Sequence, residues 1–208
     1  MNKVTGGSRR DMARLDVSRH AARLFLKNGF DATSGDDIAA AAGISKRTVW
    51  RYFRSKEACI EPVLMFGELS FAALLRKWPK TESIETYLPK AVVEFASDAD
   101  VVRDGMLAVR ILAILHREPA LRSSWLMACH AAEVQLIGIV ADRAGRSQDD
   151  FEVRLCAAAT AAAIRLVDEE ISMAAINDGL QFGLDETTSR IAAAIRTASI
   201  LPICDPVS

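Results

Sequence analysis

From near Arg9 to near Ile200 the chain spaces its apolar residues with a helical period. Leu15, Ala22, Phe25 and Leu26 share one side of that period, which predicts a first helix over Arg9–Asn28. Asn28-Gly29 closes it, since Asn and Gly tolerate the left-handed backbone at a helix end. Ser34-Gly35-Asp36-Asp37 has capping-box spacing ahead of the run Ile38 to Ala42, so a second helix starts there and stops at Gly43. Ser45 caps a third, Lys46 to Phe53. Ser55 is placed to cap a fourth, from near Lys56 to about Trp78, with a kink expected at Pro62 in its second turn. Further helical segments are predicted near 82–97, 100–117, 119–144, 148–178 and 186–200. Their separators are Pro79, Ser97-Asp98, Glu118-Pro119, Gly145-Arg146-Ser147 and the stretch from Gly179 to Gly183. No alternating β-branched run and no Asn-Gly hairpin signal between such runs is present. The fold class is all-α, with about nine helices. Residues 1–8, small and polar, are expected to be disordered.

The turn Ala42-Gly43-Ile44-Ser45 joins the second and third helices tightly. That is the layout of a helix-turn-helix, which sets a helix into the DNA major groove. Ala39 and Ala42 allow the two helices to approach, and Gly43 supplies a backbone shape that a bulky residue resists. Ile44, Val49 and Phe53 are expected to point inward against Phe25, Leu26 and Ile38. The helical period then turns Arg47, Thr48, Trp50 and Arg51 outward or onto the flanks. Two guanidinium groups, a hydroxyl and an aromatic plane suit base edges and phosphates. The predicted division is a helix-turn-helix domain over 9–57 and a larger helical ligand-binding and dimerisation domain over 58–204.

This segment resembles the DNA-binding domain of the TetR family of transcriptional regulators. The matching positions are Ala21, Leu24-Phe25, Gly29-Phe30, Thr33-Ser34, Asp37-Ile38-Ala39, Ala42-Gly43-Ile44-Ser45, Thr48-Val49-Trp50, Tyr52-Phe53 and Ser55-Lys56-Glu57. The resemblance implies that Lys46, Arg47 and Thr48 open the recognition helix and reach bases or nearby phosphates. It implies that Trp50, Arg51 and Tyr52 contact backbone or thymine methyls, and that Lys56 binds a phosphate together with a helix N-terminus. Ser34 and Gly35 would approach the opposite phosphate wall. Trp50 stands where tyrosine is the commoner family residue, so the aromatic plane is kept and the hydroxyl becomes an indole N–H. Asp36 reads as a charge partner of a helix N-terminus. Arg9, Arg10 and Arg14 form either a phosphate-binding arm or an unengaged tail.

Charge changes the picture along the chain. Residues 1–57 hold twelve Lys/Arg against six Asp/Glu, a net of +6, whereas the remainder carries −7 within a total of −1. A basic head on an acidic body fits a nucleic-acid footprint at one end. Cys59, Cys129, Cys156 and Cys204 lack metal-ligand spacing, and three of them lie in apolar helical contexts as small core residues. No signal peptide or spanning segment is visible, so a cytoplasmic location is expected. An all-helical enzyme is the competing reading. It lacks support from any Glu-x-x-His pair, G-x-S-x-G elbow, P-loop or G-x-G-x-x-G, and no cofactor or metal is implied. A ligand-free architectural DNA-binding protein is the third reading.

In the body, Phe66, Leu69, Phe71, Leu74, Trp78, Tyr87, Phe95, Met106, Leu115, Trp125, Met127 and Phe151 are candidate walls of a ligand cavity. Arg110 and Arg165 sit among apolar neighbours; each either orients an anionic ligand or takes a salt bridge or an exposed edge. His116 and His130 are isolated and read as surface or satisfied core residues. Ala157, Ala158, Ala161 and Ala162 permit close helix crossing, and Ile191, Ala194, Ile195 and Ala198 form a stripe on the last helix. Such stripes serve either a homodimer surface or intrachain core. The family resemblance implies a dimer bundle made of the last two helices of each subunit. The leading expectation is a repressor of a double-stranded DNA operator, released by a small, mostly apolar effector. Activation or corepression stays open.

Overall fold

The computed structural model describes residues 8–207. Among them are nine α-helices: α1 (Arg9–Asn28), α2 (Gly35–Ala41), α3 (Lys46–Tyr52), α4 (Glu61–Leu75), α5 (Ile84–Phe95), α6 (Ala99–Leu112), α7 (Pro119–Ala144), α8 (Phe151–Asn177) and α9 (Leu184–Ala198). A 3₁₀ turn, Glu57–Ile60, precedes α4. The described residues contain no strand.

The helix starts follow their caps. Ser34 and Asp37 form the expected reciprocal capping box on α2, and Ser45 accepts the Thr48 amide on α3. Ser8 builds a second capping box with Asp11 on α1, so Ser8, the last residue of the stretch expected to be disordered, is held in place as a helix cap. The rest of that stretch, 1–7, lies outside the described residues. The fourth helix departs from expectation. Residues 57–60 wind as the 3₁₀ turn, and α4 proper starts at Glu61 and stops at Leu75. Pro62 therefore falls in the first helical turn, where its missing N–H has no intrahelical acceptor to lose. The kink expected at Pro62 becomes a helix start. Ser55 Oγ does accept the Ala58 amide, at 3.4 Å.

Two apolar clusters divide the interior. The upper one joins Phe25, Ile38, Val49 and Phe53 of the head to Ile60, Val63 and Leu64, and onward to Ile111, Leu115 and Trp125. The head core thus runs unbroken into the body. The lower cluster packs α4, α5, α7, α8 and α9 around Leu74, Ile84, Leu88, Val153 and Ile195, with Ile203 and Cys204 of the tail. Two stretches, Glu57–Leu75 and Pro119–Ala144, are long and apolar enough to cross a membrane by length and composition. Here they pack on one another through the centre of the bundle, which accounts for their apolarity. All four cysteines are buried free thiols, and burial pushes Cys59 up to about 12.

Arg143, near the end of α7, is buried. Its guanidinium donates to the carbonyls of Ile203, Pro79, Glu82 and Asp205 at 2.6, 3.0, 3.3 and 2.9 Å, and to Trp78 at 3.5 Å. It also lies 3.4 Å over the Trp78 ring, so one side chain ties the α4–α5 connection to the tail.

Candidate DNA-reading face and ligand cavity

The head turns Ser34, Lys46, Arg47, Trp50 and Arg51 of the predicted residues to the outside, leaves Thr48, Tyr52 and Lys56 half-buried, and buries Gly35. Val49 is fully buried against Ile38 and Phe25, and this fixes the roll of α3. Lys46, Arg47, Trp50 and Arg51 are consequently exposed, while Thr48 and Tyr52 are half-buried. Thr48 shares a 2.9 Å hydrogen bond with the Ser45 hydroxyl, and the Arg51 guanidinium lies 5.4 Å from the Tyr52 ring centroid. The Trp50 indole lies directly against Gly35. A Cβ at position 35 would collide with that ring, so the glycine is needed for close approach of α3 to the start of α2. Gly43 has φ +65°, the left-handed region that lets the turn reverse. Ser34 is exposed beside Gly35, with its hydroxyl donated to Asp37 at 2.7 Å.

Two lysines of the predicted face are already engaged. Lys46 Nζ lies 2.7 Å from Asp36 Oδ2 in an exposed ion pair. Lys56 donates to the Phe30 carbonyl at 2.7 Å and sits 4.0 Å over the Phe30 ring. Asp36 thus faces α3 across the turn and serves as a partner of Lys46. Arg14 lies against the Phe53 ring, whereas Arg9 and Arg10 are exposed.

The head is fastened to the body by polar bonds that the sequence did not single out. Ser18 of α1 accepts the Val63 amide at 3.1 Å, capping α4 from another helix. Arg19 makes a two-pronged bond to Asp104 of α6, at 2.9 and 2.6 Å. Ser124 of α7 donates to the Glu57 carbonyl at 3.0 Å.

Behind this joint lies a cavity of about 170 Å³ walled by α4, α6, α7, α8 and α9. Of the candidate wall residues, Phe71 and Trp125 line it, beside Leu64, Leu112 and Ile164. A small recess reaches from Glu68, Phe71 and Ile164 towards Leu136. Leu74, Tyr87 and Phe95 instead line a separate recess between α4 and α5, also about 170 Å³. Trp78 stacks on Tyr87 in the lower core, and Leu115 belongs to the upper core. Phe66 and Leu69 are half-buried on α4 and line neither space. Met106, Met127, Phe151 and Arg110 are exposed, because the rotation of their helices turns them away from the bundle. Arg165 takes the salt-bridge alternative, 2.9 Å from Glu169.

The cavity's polar wall was missed. Glu68, Asp168 and Ser172 line it, so its polar groups are carboxyls and a hydroxyl in place of the arginine considered from sequence. Burial, then the charge of Asp168, pushes Glu68 up to about 8; burial, then Glu169, pushes Asp168 up to about 7. Burial would raise Glu169 as well, but hydrogen bonds from Trp125 and Arg165 outweigh it and hold that carboxyl below the usual range. One signal was available: Glu68 is the sole charged residue between Glu61 and Arg76.

Residues 19–63 match the family model of bacterial regulatory proteins of the tetR family, and residues 82–196 match the model of the MftR C-terminal domain. The chain belongs to the TetR family of transcriptional regulators. The HTH-type transcriptional regulator TcmR of Streptomyces glaucescens is 31% identical over 166 residues, 77% of this chain and 73% of that protein. MftR of Mycobacterium tuberculosis is 48% identical over 52 residues, about a quarter of each chain. Among solved structures, Salmonella enterica GusR aligns with a TM-score of 0.54 at 20% identity, over 94% of this chain and 100% of that one. A tetR-family regulator from Streptomyces coelicolor aligns with a TM-score of 0.52 at 19% identity, over 90% and 80%. These likenesses show a shared fold.

In this TetR-family chain the two small-residue stripes divide. Ile191 and Ile195 of α9 are buried in the lower core, as are Ala157 and, partly, Ala161 of α8. Ala158 is half-buried and Ala162 exposed on the opposite side of α8. There Phe151, Leu155, Ala162, Leu166, Met173 and Ile176 are all exposed and follow one helical face for most of its length.

Proposed function

We propose that this regulator is a repressor, bound as a homodimer to a pseudo-palindromic operator and released by a small, mostly apolar ligand in the α4–α8 cavity. One observation carries the reading. The first turns of α4 enter the head core through Val63 and Leu64, and its next turns form the cavity wall through Gly67, Glu68 and Phe71. A ligand that shifts those turns moves the head. DNA binding then weakens ligand binding by the same factor. Lys46, Arg47 and Thr48 read bases or adjoining phosphates, with Trp50, Arg51 and Tyr52 on the backbone or thymine methyls. Ser34, Gly35 and Lys56 meet the flanking phosphates. The exposed apolar face of α8 supports pairing about a two-fold axis, with the two α3 helices about one DNA turn apart or slightly more. The protein acts in the cytoplasm without catalysis, metal, cofactor or membrane.

The test is binding to a labelled fragment of its own upstream DNA, titrated with salt and with unrelated competitor. Competitor-resistant binding with a steep salt slope is expected. Arg51→Ala should weaken specific binding by roughly 1–3 kcal/mol. Weak binding, equal for all sequences with and without candidate ligands, would overturn the repressor reading. A monomeric sedimentation profile at micromolar concentration would overturn the dimer.

A further inference from the structure

The cavity is apolar except along one strip. Asp168 and Ser172 lie one helical turn apart on α8, and Glu68 faces the same space from α4. Among the described residues none of these three side chains has a hydrogen bond or an ion pair, although Ser172 is only 2% exposed. Glu68 and Asp168 are half-buried, but a buried hydroxyl ordinarily finds a partner, so Ser172, unpartnered beside two unpaired carboxyls on the wall of an open space, calls for an occupant. The nearby cations do not fill that role. Arg122 and Arg165 both go to Glu169, whose other bond comes from the Trp125 indole at 2.8 Å. The remaining walls add no charge: α6 contributes Ala108, Val109 and Leu112, and α9 contributes Ile191. On α7, the Cys129 thiol is pushed up by burial and stays neutral.

We infer that this cavity binds an apolar organic cation, its primary ammonium group seated among Glu68, Asp168 and Ser172. The inference rests on the ligand-responsive reading above and names its ligand class. Two carboxyls and a hydroxyl supply acceptors for the three N–H bonds of an ammonium. A charge-assisted bond to a carboxylate in a low-dielectric site is stronger than a neutral one. A space of about 170 Å³ suits one ring with a short chain, since an engineered apolar cavity of about 150 Å³ holds benzene. Leu64, Phe71 and Trp125 would cover the apolar part. With the two carboxyls raised to about 8 and about 7, binding displaces protons from them. Affinity for an amine that stays protonated therefore rises with pH between about 6 and 8.5, whereas Glu169, held below the usual carboxylate range, keeps its charge throughout.

The experiment uses three probes of one size on the full-length protein: 2-phenylethylamine, 2-phenylethanol and phenylacetate, measured by calorimetry at pH 6 and pH 8.5. At the higher pH the amine should bind roughly tenfold or more tightly than the alcohol, and phenylacetate weakest. The amine's advantage should shrink at pH 6. Glu68→Gln and, separately, Asp168→Asn should bring the amine to within about threefold of the alcohol. Circular dichroism checks that each variant is folded, and either variant suffices. Equal or tighter binding of the alcohol or the acid overturns the inference. So does an amine preference untouched in both folded variants, or failure of all three probes to bind. Operator binding by the unmodified protein is judged separately, so these outcomes remove the cation and leave the regulator reading to its own test.

Discussion

Arg19 and Asp104 connect α1 of the head to α6, which lines the cavity, and their replacement gives the sharpest energetic test of that connection. The pair is two-pronged, and Asp104 is 1% exposed against 20% for Arg19. Breaking a buried pair from one side costs about 3–5 kcal/mol, because the other charge is stranded. In Arg19→Ala the stranded carboxylate keeps Arg103, whose Nε lies 3.5 Å away. Arg103 is 47% exposed, so it can swing only part of the way at modest cost. That lowers the expected loss to about 2–3 kcal/mol. Asp104→Ala strands a guanidinium that can reach water, and about 1–2 kcal/mol is expected. The double variant should cost less than the two single losses together, leaving a coupling of at least about 1 kcal/mol. Urea unfolding of the four proteins measures each quantity, and Arg19→Ala alone should lower Tm by roughly 4–10 °C. The same variants should narrow the ratio of operator affinities with and without ligand. A coupling below about 0.5 kcal/mol, or a larger loss for Asp104→Ala than for Arg19→Ala, would refute the reasoning.

Gly35→Ala should expel the Trp50 indole from its seat and weaken operator binding about tenfold, with Tm changed by only a few degrees; unchanged DNA affinity would show that the seat does not matter for recognition. Arg143→Lys replaces a planar fork by a point donor and should cost about 3 kcal/mol in denaturant unfolding, whereas a loss under about 1 kcal/mol would contradict the anchor. Glu68 holds its proton more tightly folded than unfolded, so its penalty is absent at acid pH and grows as pH rises from the ordinary carboxylate range through about 8. Glu68→Gln should accordingly raise Tm by several degrees near pH 9 and hardly at pH 5; a gain confined to acid pH would reverse the assignment.

The head was legible because its information is local. Capping residues, Gly43 and the Val49/Phe53 spacing each act within a turn or two, and they set the exposed face of α3 without help from the body. Gly35, read as approaching a phosphate wall, is buried under the Trp50 indole, a contact that needed the structure. The body was legible as helices and separators, but helix rotation was not. Met106, Met127 and Phe151 are large and apolar, yet a bundle has an outside, and apolarity alone does not say which side a helix turns to it. Glu68 and Asp168 are a hundred residues apart and meet only because α4 and α8 both border the cavity. Asp168 stands in an ordinary acidic run with Glu169 and Glu170, two of which bond elsewhere. Arg143 was not singled out from the sequence, because its reach towards the tail has no local signature.

Every hydrogen bond by which Arg143 holds these segments goes to a main-chain carbonyl, and only its stack on Trp78 depends on a side chain. Every residue type carries that acceptor. Exchanges of the exposed side chains at Pro79 or Asp205 therefore leave the corresponding bonds available, while one altered codon at 143 releases the tail and the α4–α5 connection together. Mutational tolerance in this corner of the protein is thus unequally shared: outside Trp78 the gripped segments can drift in sequence, and the gripping position cannot.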